Sequence, residues 1–188
     1  MNVYDFDNTI YDGESVVDFY FFLLRRNPKL LTLFPKMVYM LFRYKACKIA
    51  EKELLSEAEK YIKKIFDEND IENLIPEFWD KYSYKIKDFY MEIKQDDDVI
   101  LSASVDFLIS EICNRLNIKN VVASQIDVKT GKVLRLCYRN RKPEIFKNIF
   151  PEIVIDKFYT DSMNDESMFN LAKQIFIVKG NKVKELKL

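Results

Sequence analysis

A lone strand signal opens this chain, and about eighty residues of helical character follow before a second strand can be drawn. Val3, Tyr4 and Phe6 surround Asp5 in a short apolar run that breaks at Asn8, a residue that tolerates turn geometry. From residue 14 to residue 93 the apolar spacing is helical and no convincing strand interrupts it. Strands alternating with helices return only after residue 94. The first strand therefore belongs with the later ones, and the helical stretch is an insertion. The expected division is an α/β core over residues 1–13 and 94–188 and an all-helical cap over residues 14–93.

Taken in order, Ser15 is placed to cap a helix over 16–26 that Asn27-Pro28 stops. A second helical region starts near Lys29, is interrupted or restarted at Pro35 and extends to about Ile65. Asp67 to Asp70 read as a loop, and a third helical region runs from Ile71 to about Ile93. The core resumes with the strand Val99-Ile100-Leu101, ending at Ser102-Ala103-Ser104, and a helix over 105–116. Val121 to Ala123 form the next strand, and Lys129-Thr130-Gly131-Lys132 turn a hairpin between Ile126-Asp127-Val128 and Val133-Leu134. Lys142-Pro143 start a helix, with proline at an early position it tolerates. Lys157 to Thr160 form a strand, Ser167 to Lys173 a short helix and Ile175 to Val178 a last strand, with Gly180-Asn181 turning into the tail.

Lysine plus arginine equals aspartate plus glutamate at 30 each, so the overall charge does not point to nucleic acid. The chain has no histidine, which excludes histidine phosphatases, Ser-His hydrolases and His-ligated zinc sites. Acid–base work must fall to carboxylates, Lys, Tyr or Cys. Cys47, Cys113 and Cys137 form no CxxC pair and are odd in number, which reads as free thiols in a reducing cytosol. The functional-looking strand begins by Val3 and leaves no room for a signal peptide, so a cytoplasmic location is expected.

In a parallel sheet with right-handed crossovers the strand ends that carry chemistry gather on one edge. That brings Asp5, Asp7, Ser102 and Asp161 together, and Lys142 can reach the same edge from the start of its helix. Two carboxylates as close as Asp5 and Asp7 repel unless a cation sits between them, and hard oxygen ligands suit magnesium.

The run Asp5-x-Asp7-x-Thr9, the strand-plus-serine at Ser102, Lys142, and Asp161-Ser162-Met163-Asn164-Asp165 resemble, in order, the four motifs of haloacid dehalogenase-like phosphatases. Gly131, the spacing from Cys137 to Lys142 and the ending Ile175 to Asn181 add to the likeness. The resemblance implies a Rossmannoid parallel sheet flanked by helices, and a magnesium-dependent phosphomonoesterase acting on a small-molecule or lipid phosphate through an aspartyl-phosphate. In that scheme Asp5 is the nucleophile and Asp7 the general acid and base. Thr9, Ser102 and Lys142 bind the phosphoryl oxygens. Asp5, the backbone carbonyl of Asp7, and Asp161 hold Mg2+, and Asp165 orients a bound water or Lys142. Carboxylate nucleophiles and charge-offsetting lysines are what phosphoryl transfer asks of a protein.

The helical insertion resembles the first-type cap of phosphoserine-phosphatase-like members, and Glu14 falls where phosphoserine phosphatases carry a substrate-binding glutamate. Ser102-Ala103-Ser104 replaces their Ser-Gly-Gly, however, and Asp161-Ser162-Met163-Asn164-Asp165 replaces their Gly-Asp-Gly-x-x-Asp. Both forms look more like the bacterial branch that includes phosphatidylglycerophosphate phosphatase. Arg139 stands where that branch often has glycine, so Glu14, Ser104 and Arg139 are candidate substrate contacts.

Between Val16 and Lys48 only Asp18 is acidic, while Arg25, Arg26, Lys29, Lys36, Arg43, Lys45 and Lys48 punctuate apolar runs. No uncharged run approaches the roughly 18 residues that span a bilayer. These helices either bury against one another and roof the site or lie peripherally on an anionic membrane. Against the enzyme stands a non-catalytic phosphoacceptor or phosphate-ligand-binding module. A response-regulator-like phosphoacceptor would have an adjacent acidic pair, no late Asp-Ser-x-x-Asp and no 80-residue insertion.

Overall fold

The computed structural model describes residues 1–45 and 50–187. Cys47 and Lys48 lie outside the described residues. Seven strands form one sheet: β1 (Asn2–Tyr4), β2 (Val99–Val105), β3 (Asn120–Ile126), β4 (Val133–Arg135), β5 (Ile155–Thr160), β6 (Ala172–Lys179) and β7 (Lys182–Leu186). Their order is β4-β3-β2-β1-β5-β6-β7. The five inner strands are parallel, while β4 and β7 close the edges as antiparallel hairpin partners.

β1 is only three residues long yet central, paired with β2 on one side and β5 on the other. Its burial explains the apolar composition, since a strand covered on both faces reads as a continuous hydrophobic run. Side chains alternate across the sheet. Val3, Val99, Leu101 and Phe158 face a core shared with Phe146 of α7 (Arg141–Ile149) and with Met168 and Phe169 of a 3₁₀ stretch, Met163–Leu171. Tyr4, Ile100 and Tyr159 face the opposite core, built with Leu108, Ile109 and Ile112 of α6 (Asp106–Arg115).

The insertion contains α1 (Ser15–Arg26), a 3₁₀ turn over Pro28–Leu33, α2 (Phe34–Lys45), α3 (Glu51–Asp67), α4 (Ile71–Tyr82), a short 3₁₀ turn and α5 (Asp88–Ile93). No strand occurs between 14 and 93 among the described residues. Among the described residues, the buried apolar side chains of the helical stretch join those of Tyr4, Ile100 and α6 in one cluster. Phe19 and Phe22 of α1 pack edge-on to Phe78 of α4, and Trp79 packs against both Phe6 and Tyr11. The Trp79 indole donates to the Leu108 carbonyl at 2.7 Å, tying α4 to α6. On the other side of the insertion, Gly131 meets α3. A Cβ there would lie 2.8 Å from the Lys63 backbone, so the β3–β4 turn needs glycine for contact as well as for its φ of +71°.

Three local expectations are revised. Ser15 is not the cap of α1 but its first residue. Glu14 occupies the cap position with no side-chain cap bond, and Ser15 instead faces inward, fully buried. The helix expected over 167–173 is the 3₁₀ stretch ending at Leu171, and Lys173 belongs to β6. The tail is a strand, since Gly180 takes a φ of +58° and lets β7 fold back along β6. Its alternation of Lys, Val and Glu is the exposed edge-strand pattern.

Of the apolar residues of α1 and α2, Phe19, Phe22 and Leu23 are buried, whereas Val17, Phe21, Phe34, Val38, Tyr39 and Phe42 are exposed. Burial against other elements thus accounts for one face only. Among the described residues no helix is long and apolar enough to cross a membrane.

Candidate active site

The chain leaves β1 through a loop wound on one carbonyl. Phe6 O accepts from the amides of Thr9, Ile10 and Tyr11 at 3.0–3.2 Å. Asn8 takes a φ of +57°, the left-handed conformation its short amide side chain tolerates. Asp5 N still donates to Tyr159 O at 2.9 Å, so Asp5 leaves the sheet edge in a fixed direction.

Asp5 is buried and meets Lys142 from the first turn of α7. Lys142 Nζ donates to Asp5 Oδ1 and to Asp165 Oδ2, both at 2.8 Å. Thr9 Oγ1 lies 3.3 Å from Asp5 Oδ2, and Thr160 Oγ1 lies 3.2 Å from Asp165 Oδ2. Burial pushes the Asp5 carboxyl up to about 7, with Asp165 and Asp7 adding to the effect against Lys142. Burial draws the Lys142 ammonium down, but Asp5 and Asp165 outweigh it and the net shift is upward. Lys142 therefore stays charged while carrying two carboxylates.

Asp7 points the other way. Its Oδ1 accepts from the Ser15 amide at 2.7 Å and its Oδ2 from the Ser104 hydroxyl, and the two serine hydroxyls lie 3.0 Å apart. Burial raises the Asp7 carboxyl, and the bonds from Ser104 and Ser15 partly offset it. The α1 N-terminus supplies the Ser15 amide, one of the orphan donors of any helix start. Beneath this group the Ser104 amide donates to Ser102 Oγ at 3.0 Å, a bond that fixes the Ser102-Ala103-Ser104 turn.

A cavity of about 240 Å³ joins these parts, lined by Asp5, Asp7, Glu14, Ala103, Arg139, Lys142, Asp161, Asn164 and Asp165 among others. Of the expected site residues, Asp5, Asp7, Glu14, Arg139, Lys142, Asp161 and Asp165 thus reach it. Thr9 and Ser102 are buried behind its wall, and Ser104 touches Asp7 without lining it. Glu14 accepts from Asn8 Nδ2 at 2.6 Å, and its carboxyl is raised by burial and by Asp7. Arg139 lines the cavity with a φ of +46°, strained for a non-glycine residue.

Three contributors are not evident from the motifs. Lys87, between the 3₁₀ turn and α5, buries its ammonium against the Asn8 carbonyl, and its amide donates to Ile10 O at 2.8 Å. Lys179 at the end of β6 donates to Asp161 O at 2.7 Å. Ser15 holds Asp7. Each depends on a contact across the fold, and a single lysine or serine in a helical stretch carries no local signal of that.

The donor set facing the cavity is oxygen-rich, with Asp5, Asp161, Asn164 and Asp165 and neither histidine nor thiol. Among the described residues no group of three or more carboxylates, histidines or thiols is close enough to hold a metal alone. That combination fits magnesium, which binds through one or two carboxylates and completes its shell with water and substrate phosphate. The local charge agrees, because the acidic side chains lining the cavity, Asp5, Asp7, Glu14, Asp161 and Asp165, outnumber the basic Lys142 and Arg139.

No curated protein sequence matches the chain. Its fold is similar to a protein of unknown function from Bordetella pertussis Tohama I, with a TM-score of 0.69 at 14% identity over 93% of this chain and 87% of the other. It is also similar to a phosphoserine phosphohydrolase-like protein from Francisella tularensis, with a TM-score of 0.58 at 20% identity over 93% and 86%. The haloacid dehalogenase-like hydrolase profile matches residues 3–170, which include the residues that line the cavity. The chain belongs to the haloacid dehalogenase-like hydrolase family.

Proposed function

We propose that this protein is a magnesium-dependent phosphatase that cleaves a phosphate monoester through an aspartyl-phosphate on Asp5, with 1–13 and 94–188 as catalytic core and 14–93 as cap. The observation that carries this reading is the divergence of the two carboxylates. Asp5 is held by Lys142, while Asp7, two residues on, is held by Ser104 and Ser15 on the same cavity.

In the first step an Asp5 carboxylate oxygen forms a bond to phosphorus as the ester P–O bond breaks, and the leaving alkoxide takes its proton from Asp7. In the second, Asp7 takes a proton from water, whose oxygen attacks the phosphorus. The Asp5–phosphate bond breaks and inorganic phosphate leaves. The raised Asp7 carboxyl suits an acid that must be protonated before the first step. Lys142 offsets the charge that spreads over the phosphoryl oxygens and favours the ionised form of Asp5. Magnesium, held by Asp5, Asp161 and the Asp7 carbonyl, would add positive charge beside the same oxygens. Asp165 positions Lys142.

Hydrolysis of an aryl phosphate, with and without magnesium, by the wild type and Asp5→Asn tests the reading. Metal-dependent release lost in the variant is the expected result. No release, no magnesium binding and no beryllofluoride adduct at Asp5 would leave only the rival, a phosphate-binding module on this fold. The exposed Phe21, Phe42 and Tyr39 beside Arg25 and Lys36 support a peripheral contact with anionic membrane, for which co-sedimentation with anionic liposomes at low salt is the check.

A further inference from the structure

A second hollow, which shares no lining residue with the catalytic cavity, has a different character. It has a volume of about 520 Å³, and all its lining side chains are aliphatic or aromatic. The cap contributes Val16 of α1, Val38 of α2 and Ile62 of α3, and the core contributes Val105, Phe107 and Ile126. Tyr20, which alone among the lining residues has a hydroxyl, donates it to the Leu30 carbonyl at 2.9 Å. Packed interiors leave few voids larger than a water molecule, so a hollow this large is a binding volume before it is a packing fault. Val16, Val17, Phe34 and Val38 are each more than 40% exposed, so the hollow is a cleft that opens to solvent.

Its position says what it holds. The hydrogen-bonded pair Ser15 and Ser104 contacts Asp7, the group assigned to protonate the leaving alcohol. The next residue along each chain segment, Val16 and Val105, lines the cleft. The two serines that hold Asp7, on the alcohol side of a phosphate monoester at Asp5, are thus each followed along the chain by a residue of a wholly apolar surface, while the phosphate side meets Lys142. Among the described residues the lining of the cleft carries no charged side chain, and its one hydroxyl is engaged by Leu30.

We propose that this cleft receives the hydrocarbon part of the substrate, making the substrate an amphiphile: a phosphate monoester with a long alkyl or acyl chain. At roughly 30 Å³ for a methylene-sized group, the volume admits a chain of about ten to fifteen carbons. The inference rests on the phosphatase reading of Asp5 and Asp7.

The test is a series of n-alkyl phosphates of two to twelve carbons, kept below their micellar concentrations and assayed with magnesium. The expected result is a kcat/KM that climbs about fourfold per added methylene, the ratio equivalent to ~0.8 kcal/mol per buried CH₂, and then levels as the cleft fills. Val17→Asp and Val38→Asp, both at exposed helix positions, flatten that climb and leave turnover of the two-carbon ester unchanged. A flat series in the wild type, with the short ester cleaved, overturns the inference and leaves the phosphatase reading intact. So does a flat series accompanied by self-association that Val38→Asp abolishes, which would make the cleft an interface between copies. If no ester is cleaved, magnesium binding and the beryllofluoride adduct at Asp5 decide the phosphatase reading separately. Calorimetric binding of the matching alkylphosphonates then decides the cleft without turnover: affinity rising with chain length upholds it, and no binding at any length overturns it.

Discussion

Two buried polar groups flank the first strand on different terms. Where β1 ends, charges answer one another: Lys142 lies 2.8 Å from a carboxylate oxygen of both Asp5 and Asp165, the Thr9 hydroxyl meets the other Asp5 oxygen, and the Thr160 hydroxyl shares the Asp165 oxygen that Lys142 holds. Where β2 enters the sheet, Asp98 sits near the Tyr4 and Tyr90 phenols, and Asp98 Oδ1 and both hydroxyls are buried without a hydrogen-bond partner among the described residues. Asp98 Oδ2 accepts the Gln95 amide at 2.8 Å, and Asn2 also favours its ionised form without offsetting burial. The first group costs desolvation and recovers it through pairing. The second costs desolvation and recovers little. Stability and chemistry should therefore separate: substitutions at the first group change activity most, and substitutions at the second change only stability.

The largest effect is expected for Asp5→Asn. Loss of the nucleophile lowers aryl phosphate turnover by about 10⁴-fold or more. Stability should hold or rise, because one of the excess buried carboxylates is gone while Lys142 keeps Asp165. Lys142→Met breaks the comparison from the other side. It removes the one cation between two buried carboxylates, so unfolding free energy at pH 8 falls by about 3–5 kcal/mol and turnover drops by about 10²–10³-fold. Denaturant titration beside the activity assay checks both. A Lys142→Met protein as stable as wild type would mean that the carboxylates are not both charged in the fold.

Ser104→Ala is a smaller perturbation of the same region. The Ser104 hydroxyl holds the Asp7 carboxylate and lowers its pKa, so its loss moves the acid–base limb of the kcat/KM–pH profile upward and costs about tenfold in kcat. An unmoved limb with a raised KM would instead give Ser104 a role in substrate contact.

Asp98→Asn addresses the second group. Burial raises the Asp98 carboxyl to about 6, above its ordinary value of 3.8. Between those values the folded chain binds a proton that the unfolded chain has released, so this group's contribution to stability falls as pH rises from about 4 to about 6 and stays lost above that. The introduced amide carries no charge, keeps an acceptor for the Gln95 amide and removes that slope. The variant should gain about 2 kcal/mol at pH 8, nothing near pH 4, and keep wild-type turnover. Urea midpoints across pH 4–8 read the difference.

The first group was legible in the sequence because its members come as local patterns. Asp5, Asp7 and Thr9 occupy one loop, and Lys142 and Asp165 mark the start of a helix and the end of a strand turn. Ser15, Lys87 and Lys179 were not legible, since each acts through a partner brought near only by the fold: Asp7, the Asn8 carbonyl and the Asp161 carbonyl. The alternation of strands and helices gave the parallel core, but the edge strand β7 was hidden by its lysines, which read as a solvated tail. Asp98 is the last of three consecutive acids, Asp96-Asp97-Asp98. Only the sheet register, with Val99 opposite Val3, shows that this last member goes inside while Asp97 stays out.

The smallest expected effect is the sharpest test of whether the second group is unsatisfied. Tyr90 is fully buried, and its ring packs edge-on against Tyr4 with centroids 4.9 Å apart. Phenylalanine keeps that contact and the buried ring area, and deletes only the hydroxyl. A buried hydroxyl without a partner costs about 1 kcal/mol or more, so Tyr90→Phe should stabilise the protein by about that amount. An ordered water bridging Tyr90 to Asp98 would reverse the sign, because the substitution would strand the water and the carboxylate. A double-mutant cycle with Asp98→Asn separates the cases. Without a bridge the two gains add to within about 0.5 kcal/mol, and with one they couple. Strong coupling would mean that the entry of β2 is as well satisfied as the outlet of β1, with solvent supplying the partners that Lys142 supplies there.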